Sequence, residues 1–342
     1  MKVKKLLLIV IVFTAIVFVA ACEKEEDTNR NGYDYLVLVN KYSQLPDDWE
    51  DKVELVDAKN AWDEDIQLEK EAYDNYLKLE AALKKEGVSI VLDSVYRSVQ
   101  EQQDLWDEWA ADPEKGLDYV KKFVAVPGFS EHHTGLAIDI CLMVDGELVF
   151  DNDEMIEERD IFEKIHKKLA DYGFILRYLE NREDSTGYTY EPWHLRYIGS
   201  KKIAKYIMDN DLTFEEYLES VTDYNKYPEA AKYRIETTLK KEFEEKTYKD
   251  KISNVRFDVK KIYTSKDAKD DSTIKGLELG DKDLAFEVEY QLLPQEGIDY
   301  NTLIVTDGKY NEELGWVTNI NRLGVIRYEN GSYTVTQLDT GW

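Results

Sequence analysis

Two segments of this 342-residue chain combine histidine with acidic side chains. Asp139 follows His132 by seven residues, and Glu191 precedes His194 by three. A catalytic zinc site uses three nitrogen or oxygen ligands and leaves one position open for water. His132, Asp139 and His194 can supply those ligands. A carboxylate beside such a metal can take a proton from water and pass it to a leaving amine, which is the chemistry we expect of Glu191.

The first pair alone is weak, since histidine and aspartate at this spacing also occur by chance on protein surfaces. Asp139, however, interrupts an apolar run over residues 136–144 that predicts a central strand, where an unpaired carboxylate would be costly. Pro192 disfavours a helix between Glu191 and His194, so we expect that pair on an extended segment. Together the two segments favour a metal site with an adjacent base.

Three segments of the chain carry a recognisable pattern. They read YRSVQEQ over 96–102, SEHHTGLAID over 130–139 and EPWH over 191–194. These match the patterns Y-R-S-x-x-x-Q, S-x-H-x-x-G-x-A-x-D and E-x-x-H in the same order and at similar separations. The chain therefore resembles the D-alanyl-D-alanine carboxypeptidase family of zinc metallopeptidases, the VanY type, over about residues 35–220. The segment after residue 220 has no part in this resemblance.

The resemblance implies a set of site residues. It assigns one zinc ion to three ligands, His132, Asp139 and His194. It selects His132 over the adjacent His133, and it makes Glu191 the general base and then the general acid. Arg97 would stabilise the oxyanion or hold the substrate carboxylate, as a planar bidentate donor can. The alternative for Arg97 is a structural ion pair.

Four further residues are expected to contact the substrate: Ser130, Gln102, Tyr190 and Trp193. For Ser130 and Gln102 the alternative is that they order a loop. For Tyr190 and Trp193 the alternative is a place in the apolar core, because aromatic residues beside a site are as often core.

The activity implied by the resemblance is removal of the C-terminal D-Ala from peptidoglycan stem peptides, by attack of a zinc-bound water on the carbonyl before that residue. An L,D-carboxypeptidase that trims tetrapeptides and a peptidoglycan endopeptidase remain alternatives within the superfamily. A non-catalytic, zinc-containing wall-binding lipoprotein is an alternative of a different class. Glu191 and Arg97 argue against it, because a binding protein needs neither.

The pattern of helices and strands that must position these residues predicts an α+β fold. The resemblance implies a small mixed sheet flanked by helices, as in VanY/hedgehog-like peptidases. Helices are predicted over 67–86, 98–110 and 154–172, and strands over 88–95, 136–144, 174–177 and 193–198. A short helix over 214–220 follows, with Thr213 as its cap. His166, on the third helix, is expected to face solvent.

The composition changes past about residue 221. A Lys/Glu-rich helix is predicted over 228–245, and strands over 284–292, 301–305, 324–329 and 332–338. Residues 222–342 are therefore predicted to form a second α+β domain, which contains neither histidine nor cysteine. A binding or spacing module is the default interpretation, and the zinc carboxypeptidase domain is assigned to residues 35–221.

The amino terminus has the pattern of an export signal. Three lysines precede an apolar run of 14 residues, which is short for a bilayer span, and the run ends at VAAC, a lipobox. Residues 1–21 are therefore predicted to be a lipoprotein signal peptide, and residues 22–34 a tether with a lipid on Cys22. We expect the protein at the extracytoplasmic face of the cell membrane, with a monomer as the default state.

The formal charge of -27 makes nucleic acid an improbable partner, because an acidic chain repels phosphate backbones. Residues 23–221 hold 48 acidic and 23 basic residues, and residues 222–342 hold 23 and 18, so the excess belongs to the catalytic half. The two cysteines cannot make a disulfide framework. Cys141, in an apolar run, is expected to be a buried thiol.

Overall fold

The computed structural model describes residues 28–112, 125–271, 274, 276–303, 307–312 and 314–340. The predicted signal peptide and the lipidation site Cys22 lie outside the described residues. The described end of the tether predicted over 22–34 is instead ordered, because residues 29–30 pair with residues 33–34 and Tyr33 is buried. Within them, no helix is long and apolar enough to cross a bilayer.

The part of the chain up to residue 221 is an α+β unit. Its strands are β1 (Asn29–Arg30), β2 (Tyr33–Asp34), β3 (Leu55–Lys59), β4 (Asp65–Glu69), β5 (Ser89–Leu92), β6 (Ala137–Val144), β7 (Glu147–Val149), β8 (Phe174–Tyr178) and β9 (Glu191–Tyr197). Its α-helices are α1 (Trp49–Lys52), α2 (Lys70–Lys85), α3 (Val99–Ala111), α4 (Asn152–Glu157), α5 (Arg159–Leu169), α6 (Glu183–Thr186), α7 (Lys201–Asp209) and α8 (Phe214–Ser220). Two 3-10 turns span Glu131–Thr134 and Ala170–Tyr172.

The central sheet has the strand order β5-β6-β9-β8, and β7 pairs with β6. The α+β class is confirmed. The expected mixed sheet is instead antiparallel at every described pairing. In the β6–β9 pairing Asp139 lies directly opposite His194, so the register alone brings two of the predicted metal ligands together.

Helices α2 and α5 cover one face of this sheet. Each presents apolar side chains at helical spacing to a common core: Ala72, Tyr76, Leu79 and Leu83 from α2, and Phe162, Ile165 and Leu169 from α5. The core also contains Ile138 and Ile140 of β6 and Leu195 of β9. Cys141 is buried as predicted.

Local capping explains where several helices begin. Ser98 starts α3 with a capping box, and Thr213 starts α8 in the same way. Helix α2 begins three residues later than expected, because residues 65–69 pair with β3 in a hairpin and Glu69 then caps the helix. The single helix expected over 154–172 is divided into α4, α5 and a 3-10 turn.

Gly135 joins the turn that carries His132 to strand β6. Its φ of 71° is left-handed, and a Cβ there would lie 3.1 Å from the backbone nitrogen of Glu69. The same nitrogen donates a 3.1 Å hydrogen bond to the Gly135 carbonyl. Glycine is therefore needed for the turn and for close packing against the start of α2.

The part after residue 221 contains β10 (Ile252–Tyr263), β11 (Leu284–Pro294), β12 (Lys309–Asn311), β13 (Trp316–Glu329) and β14 (Ser332–Asp339), with helices α9 (Pro228–Glu242) and α10 (Asp267–Asp270). In the sheet, β11 lies between β10 and β13, and both β12 and β14 pair with β13. The strand expected over 301–305 is wrong at its start, because residues 300–302 form a 3-10 turn; residues 304–305 lie outside the described chain.

Apolar packing continues across the predicted boundary at residues 221–222. One cluster joins Phe214 and Leu218 of α8 to Ile235 and Leu239 of α9, and extends to the inner face of the C-terminal sheet. The backbone is joined as well. Phe257 of β10 donates a 3.0 Å hydrogen bond to the Tyr42 carbonyl, and Ser43 forms a parallel bridge with Phe257.

Candidate active site

The three predicted metal ligands meet at one point. His132 lies in the turn before β6, Asp139 lies on β6, and His194 lies on β9. One donor atom from each lies within 4.8 Å of the others. Nε2 of His132 is 3.2 Å from Oδ2 of Asp139, and Nδ1 of His194 is 2.9 Å from Oδ1.

Each histidine uses its remaining ring nitrogen to hold its orientation. Nδ1 of His132 lies 2.7 Å from the Val95 carbonyl, which assigns the proton to Nδ1 and leaves Nε2 for a metal. In His194 the roles are reversed. Its Nε2 lies 3.2 Å from Oε2 of Glu131, which leaves Nδ1 facing Asp139.

These residues fit a zinc ion. Two imidazoles and one carboxylate form a zinc-type donor set. Oδ1 of Asp139 is buried and accepts no well-aligned hydrogen bond from the described residues. Burial opposes a cation at His194, but Asp139 and Glu131 raise the pKa of His194 to about 10. The same negative field would favour a bound divalent cation.

Glu191 begins β9 beside the ligands. Its Oε2 is 3.7 Å from Nδ1 of His194, and its side chain is half-buried. Burial raises the pKa of Glu191 to about 7. A carboxyl group with a pKa near neutrality is suited to both accepting and returning a proton.

Arg97 is held by neutral groups. Nη1 donates to Oε1 of Gln102 at 2.7 Å, and Nη2 donates to Oγ of Ser94 at 3.1 Å. Among the described residues no carboxylate forms a salt bridge with it, so the alternative of a structural ion pair has no visible partner. Arg97 lines a cavity of about 570 Å³ together with Tyr96 and residues of the β3–β4 hairpin.

Gln102 and Ser130 are buried. The Gln102 side chain accepts from Arg97 and donates to the Ala125 carbonyl at 2.6 Å, so both ends of its amide are already bonded. Ser130 lies at the start of the turn that carries His132. The structure thus gives Gln102 an ordering contact with Arg97, and the predicted substrate contacts of both residues stay predictions.

Trp193 and Tyr190 lie beside the site. Trp193 belongs to the apolar core, and as the neighbour of His194 on β9 it points to the opposite face of the sheet. Tyr190 packs against the edge of the same core, with the Arg159 guanidinium 6.0 Å from its ring centre. Their roles as substrate contacts stay predictions.

The other two histidines make structural contacts. In His133, Nε2 accepts from the Gly128 backbone at 3.1 Å and Nδ1 lies 2.6 Å from the Arg97 carbonyl, so neither nitrogen is left for a metal. Burial lowers the pKa of His133 to about 4. The prediction that His166 faces solvent is wrong. The ring is half-buried and Nε2 lies 2.9 Å from the Pro192 carbonyl, which fixes α5 to β9.

The sequence reasoning missed a buried ion network behind His194. Oε1 of Glu131 accepts from Nε of Arg177 at 2.9 Å and from Nη1 of Arg196 at 2.7 Å. Arg177 also pairs with Glu215 of α8 at 2.6 Å. Burial opposes the anion, but the two arginines hold the pKa of Glu131 well below its usual value. Glu131 therefore remains a carboxylate that can orient His194.

A signal for this network is present in the sequence. Arg177 and Arg196 each interrupt an apolar strand segment, FILRY and WHLRYI, as Asp139 interrupts its own. The argument applied to Asp139, that a charge inside a central strand needs a partner, applies equally to both.

Comparisons with known proteins agree with this site. The family described as VanY, D-alanyl-D-alanine carboxypeptidase, matches residues 65–200. YodJ of Bacillus subtilis (strain 168), named as a carboxypeptidase, is 42% identical over 199 residues, which are 57% of this chain and 71% of that protein. The bifunctional D-Ala-D-Ala dipeptidase and D-Ala-D-Ala carboxypeptidase VanXYC of Enterococcus gallinarum is 38% identical over 157 residues, 45% of this chain and 79% of that protein.

Among solved structures, the LdcB LD-carboxypeptidase is 40% identical, with a TM-score of 0.47 over 55% of this chain and 87% of that one. The family match covers both histidine segments and the Arg97 segment. The chain belongs to the VanY family of D-alanyl-D-alanine carboxypeptidases.

Proposed function

We propose that this protein is a zinc-dependent carboxypeptidase that releases the C-terminal D-Ala from peptidoglycan stem peptides. The observation that carries the proposal is the meeting of three donor atoms within 4.8 Å, with the Glu191 carboxylate 3.7 Å from one of them. A binding site alone would need the ligands but no proton-transfer group beside them.

When bound by His132, Asp139 and His194, zinc would polarise the scissile carbonyl and lower the pKa of water. Glu191 accepts the proton of the attacking water. It then returns that proton to the nitrogen of the departing D-Ala, so the amine leaves in neutral form. A pKa near 7 allows both transfers at neutral pH.

Arg97 supplies positive charge near the ligands, where its backbone amide donates to the His132 carbonyl at 3.3 Å. Its bonds to Gln102 and Ser94 fix the guanidinium without neutralising it. It can therefore stabilise the tetrahedral oxyanion or bind the terminal carboxylate of the peptide. Behind the ligands, Glu131 and its two arginines fix the ring of His194 and act as positioning residues.

The cellular location is part of the proposal. A lipid on Cys22 would anchor the chain at the extracytoplasmic face of the membrane, where stem peptides are found. Labelled palmitate supplied to cells should be incorporated into the unchanged protein and not into Cys22→Ala. Equal labelling of the two proteins, or labelling of neither, would contradict lipid anchoring through Cys22.

The decisive experiment is incubation of the purified protein with pentapeptide and tetrapeptide stems, with and without chelator. We expect free D-Ala from the pentapeptide, and loss of its release when the metal is removed. Release from the tetrapeptide instead would support an L,D-carboxypeptidase. Solubilised muropeptides from intact sacculi would support an endopeptidase, and metal content without turnover on any stem would support a wall-binding lipoprotein.

A further inference from the structure

Tyr188 forms part of the wall next to the candidate active site. Its ring packs against that of Tyr178 in a tilted arrangement with centres 4.8 Å apart, and the Tyr178 ring lies 4.7 Å from that of His194. Tyr188 is half-buried and precedes Glu191 by three residues. Groups beside Tyr188 are therefore close to the catalytic centre.

The C-terminal sheet brings an arginine to this wall. The Arg256 guanidinium of β10 lies 4.0 Å from the ring centre of Trp316 on β13 and 4.7 Å from that of Phe129. Phe129 directly precedes Ser130, in the loop that leads to His132. The Arg256 guanidinium also lies in the neighbourhood of the Tyr188 hydroxyl. A residue from outside the family-matched region thus reaches the rim of the site.

Arg256 forms no salt bridge with a described carboxylate. Asp47 and Asp258, which line the same cavity, pair with Lys260 instead. The Nε atom of Arg256 is buried and makes no hydrogen bond with a described residue, and burial lowers the pKa of Arg256 to about 10.

Other arginines of the same sheet are paired, Arg322 with Asp307 at 2.8 Å and Arg327 with Asp283 at 2.9 Å. In a chain with 71 acidic residues, a desolvated arginine without a carboxylate is a candidate for binding an anion from outside.

A second cation lies on the same ring. Nζ of Lys41 is 4.4 Å from the ring centre of Tyr188, and no described carboxylate forms a salt bridge with it. Burial lowers the pKa of Lys41, as it does for Arg256. Glu191 acts on Lys41 electrostatically from beyond salt-bridge distance. Two half-buried cations that form no salt bridge with a described carboxylate therefore lie near Tyr188.

We propose that Arg256, together with Lys41, forms a second carboxylate-binding point for the peptidyl part of the substrate, upstream of the bond that is cut. The proposal rests on the proposed function and deepens it. The metal site and Arg97 account for the terminal residue, so the cations on the Tyr188 side are left for the rest of the peptide. The ligand class is an acidic peptide, since a guanidinium matches a carboxylate in bidentate geometry.

The test uses two pentapeptides that end in D-Ala-D-Ala and contain a γ-linked D-glutamate. In one peptide the α-carboxylate of this residue is free, and in the other it is an amide. We expect the unchanged protein to prefer the carboxylate form. Arg256→Met should raise KM for that form by about tenfold with kcat unchanged, and leave the amide form unaffected. Arg256→Lys should keep part of the preference, and Arg322→Met is the matched control that should keep all of it.

Equal losses on both peptides in Arg256→Met, with a lower melting temperature, would overturn the proposal and make Arg256 only a packing contact between the halves. Equal kcat/KM on the two peptides in the unchanged protein would also overturn it. If no peptide is turned over, the proposed function fails. Calorimetric binding of the two peptides then still tests the proposed role of Arg256. Tighter binding of the carboxylate form, lost in Arg256→Met, supports the site; equal binding refutes it.

Discussion

The two sheets of this molecule differ in what they bury. The sheet of the catalytic half buries charged and titratable side chains on its strands: Arg177, His194 and Arg196 are buried, and Asp139 is half-buried. The inner face of the C-terminal sheet is apolar, with Phe257, Phe286 and Val288 packed against α9. A buried charge is costly unless it is paired or has a role in a site. The first sheet therefore positions the candidate active site, and the inner face of the second contributes stability through apolar packing.

The largest effect is expected from the group that transfers the proton. Glu191→Ala should lower D-Ala release by about 10²–10⁴-fold, because proton transfer is lost while the three metal ligands remain. Zinc content, measured by atomic emission on the purified variant, should stay near one ion per chain. Near-normal turnover in this variant would show that the carboxylate is not the base.

The next effect tests whether buried charge in the catalytic sheet also supports the metal. Glu131→Gln removes the anion shared by Arg177 and Arg196, so it should lower the free energy of unfolding by about 3–5 kcal/mol. It should also weaken zinc binding by about 10–100-fold, since His194 loses its orienting partner. Urea unfolding and a competitive zinc titration measure the two changes. Unchanged zinc affinity would remove Glu131 from the site.

Phe286→Ala is the matched change in the C-terminal sheet. Phe286 is fully buried, and the cavity left by its ring should destabilise the protein by about 3–5 kcal/mol. The comparison of the two sheets predicts that Phe286→Ala leaves zinc affinity unchanged, whereas Glu131→Gln weakens it. A drop in zinc affinity in Phe286→Ala, measured below its unfolding temperature, would mean that the two halves do not divide their roles in this way.

The smallest effect, taken per pH unit, concerns a buried acid of the C-terminal half. Burial raises the pKa of Glu236 on α9 to about 8, and its carboxylate accepts from the Ser43 hydroxyl. Because the folded protein holds this proton more tightly than the unfolded chain, Glu236 lowers stability as the pH rises from about 4.5 to 8, by at most about 1.4 kcal/mol per pH unit.

Residue 236 cannot ionise in the Glu236→Gln variant. The free energy of unfolding of this variant should therefore rise relative to that of the unchanged protein from about pH 4.5 to 8, and the difference should stay constant above about pH 8. Chemical unfolding at several pH values measures the difference. A difference that does not vary with pH would show that Glu236 is ionised in the folded protein throughout.

The pairing of His132 with Asp139 could be predicted because its signal is local. Seven residues separate His132 from Asp139, and a charge inside an apolar strand stands out in any sequence. Helix α8 could be predicted for a similar reason, since Thr213 and Glu216 form a capping box within one turn. In both cases the deciding contacts lie within a few residues of each other.

What could not be predicted depends on distant partners. Nothing near Glu131 indicates that its carboxylate meets two arginines from β8 and β9, more than 40 residues away. The hairpin of β3 and β4 has charged and polar residues that weaken its alternation, so the helix expected over 67–86 overlaps β4. Strand β10 does alternate, but its pairing with residues 42–44 arises only in the folded chain.

The bridge between Ser43 and Phe257 sets an order for folding. Segment 42–44 pairs with an edge that is synthesised more than 200 residues later, and just before it the carbonyls of Tyr35 and Val37 accept from Arg196 at 2.9 and 2.7 Å. Contacts of such long range form slowly, since a large loop must close first. We therefore expect the amino-terminal segment to dock among the last elements. The candidate active site, which Arg196 supports from behind, would then form only after the whole chain has been synthesised.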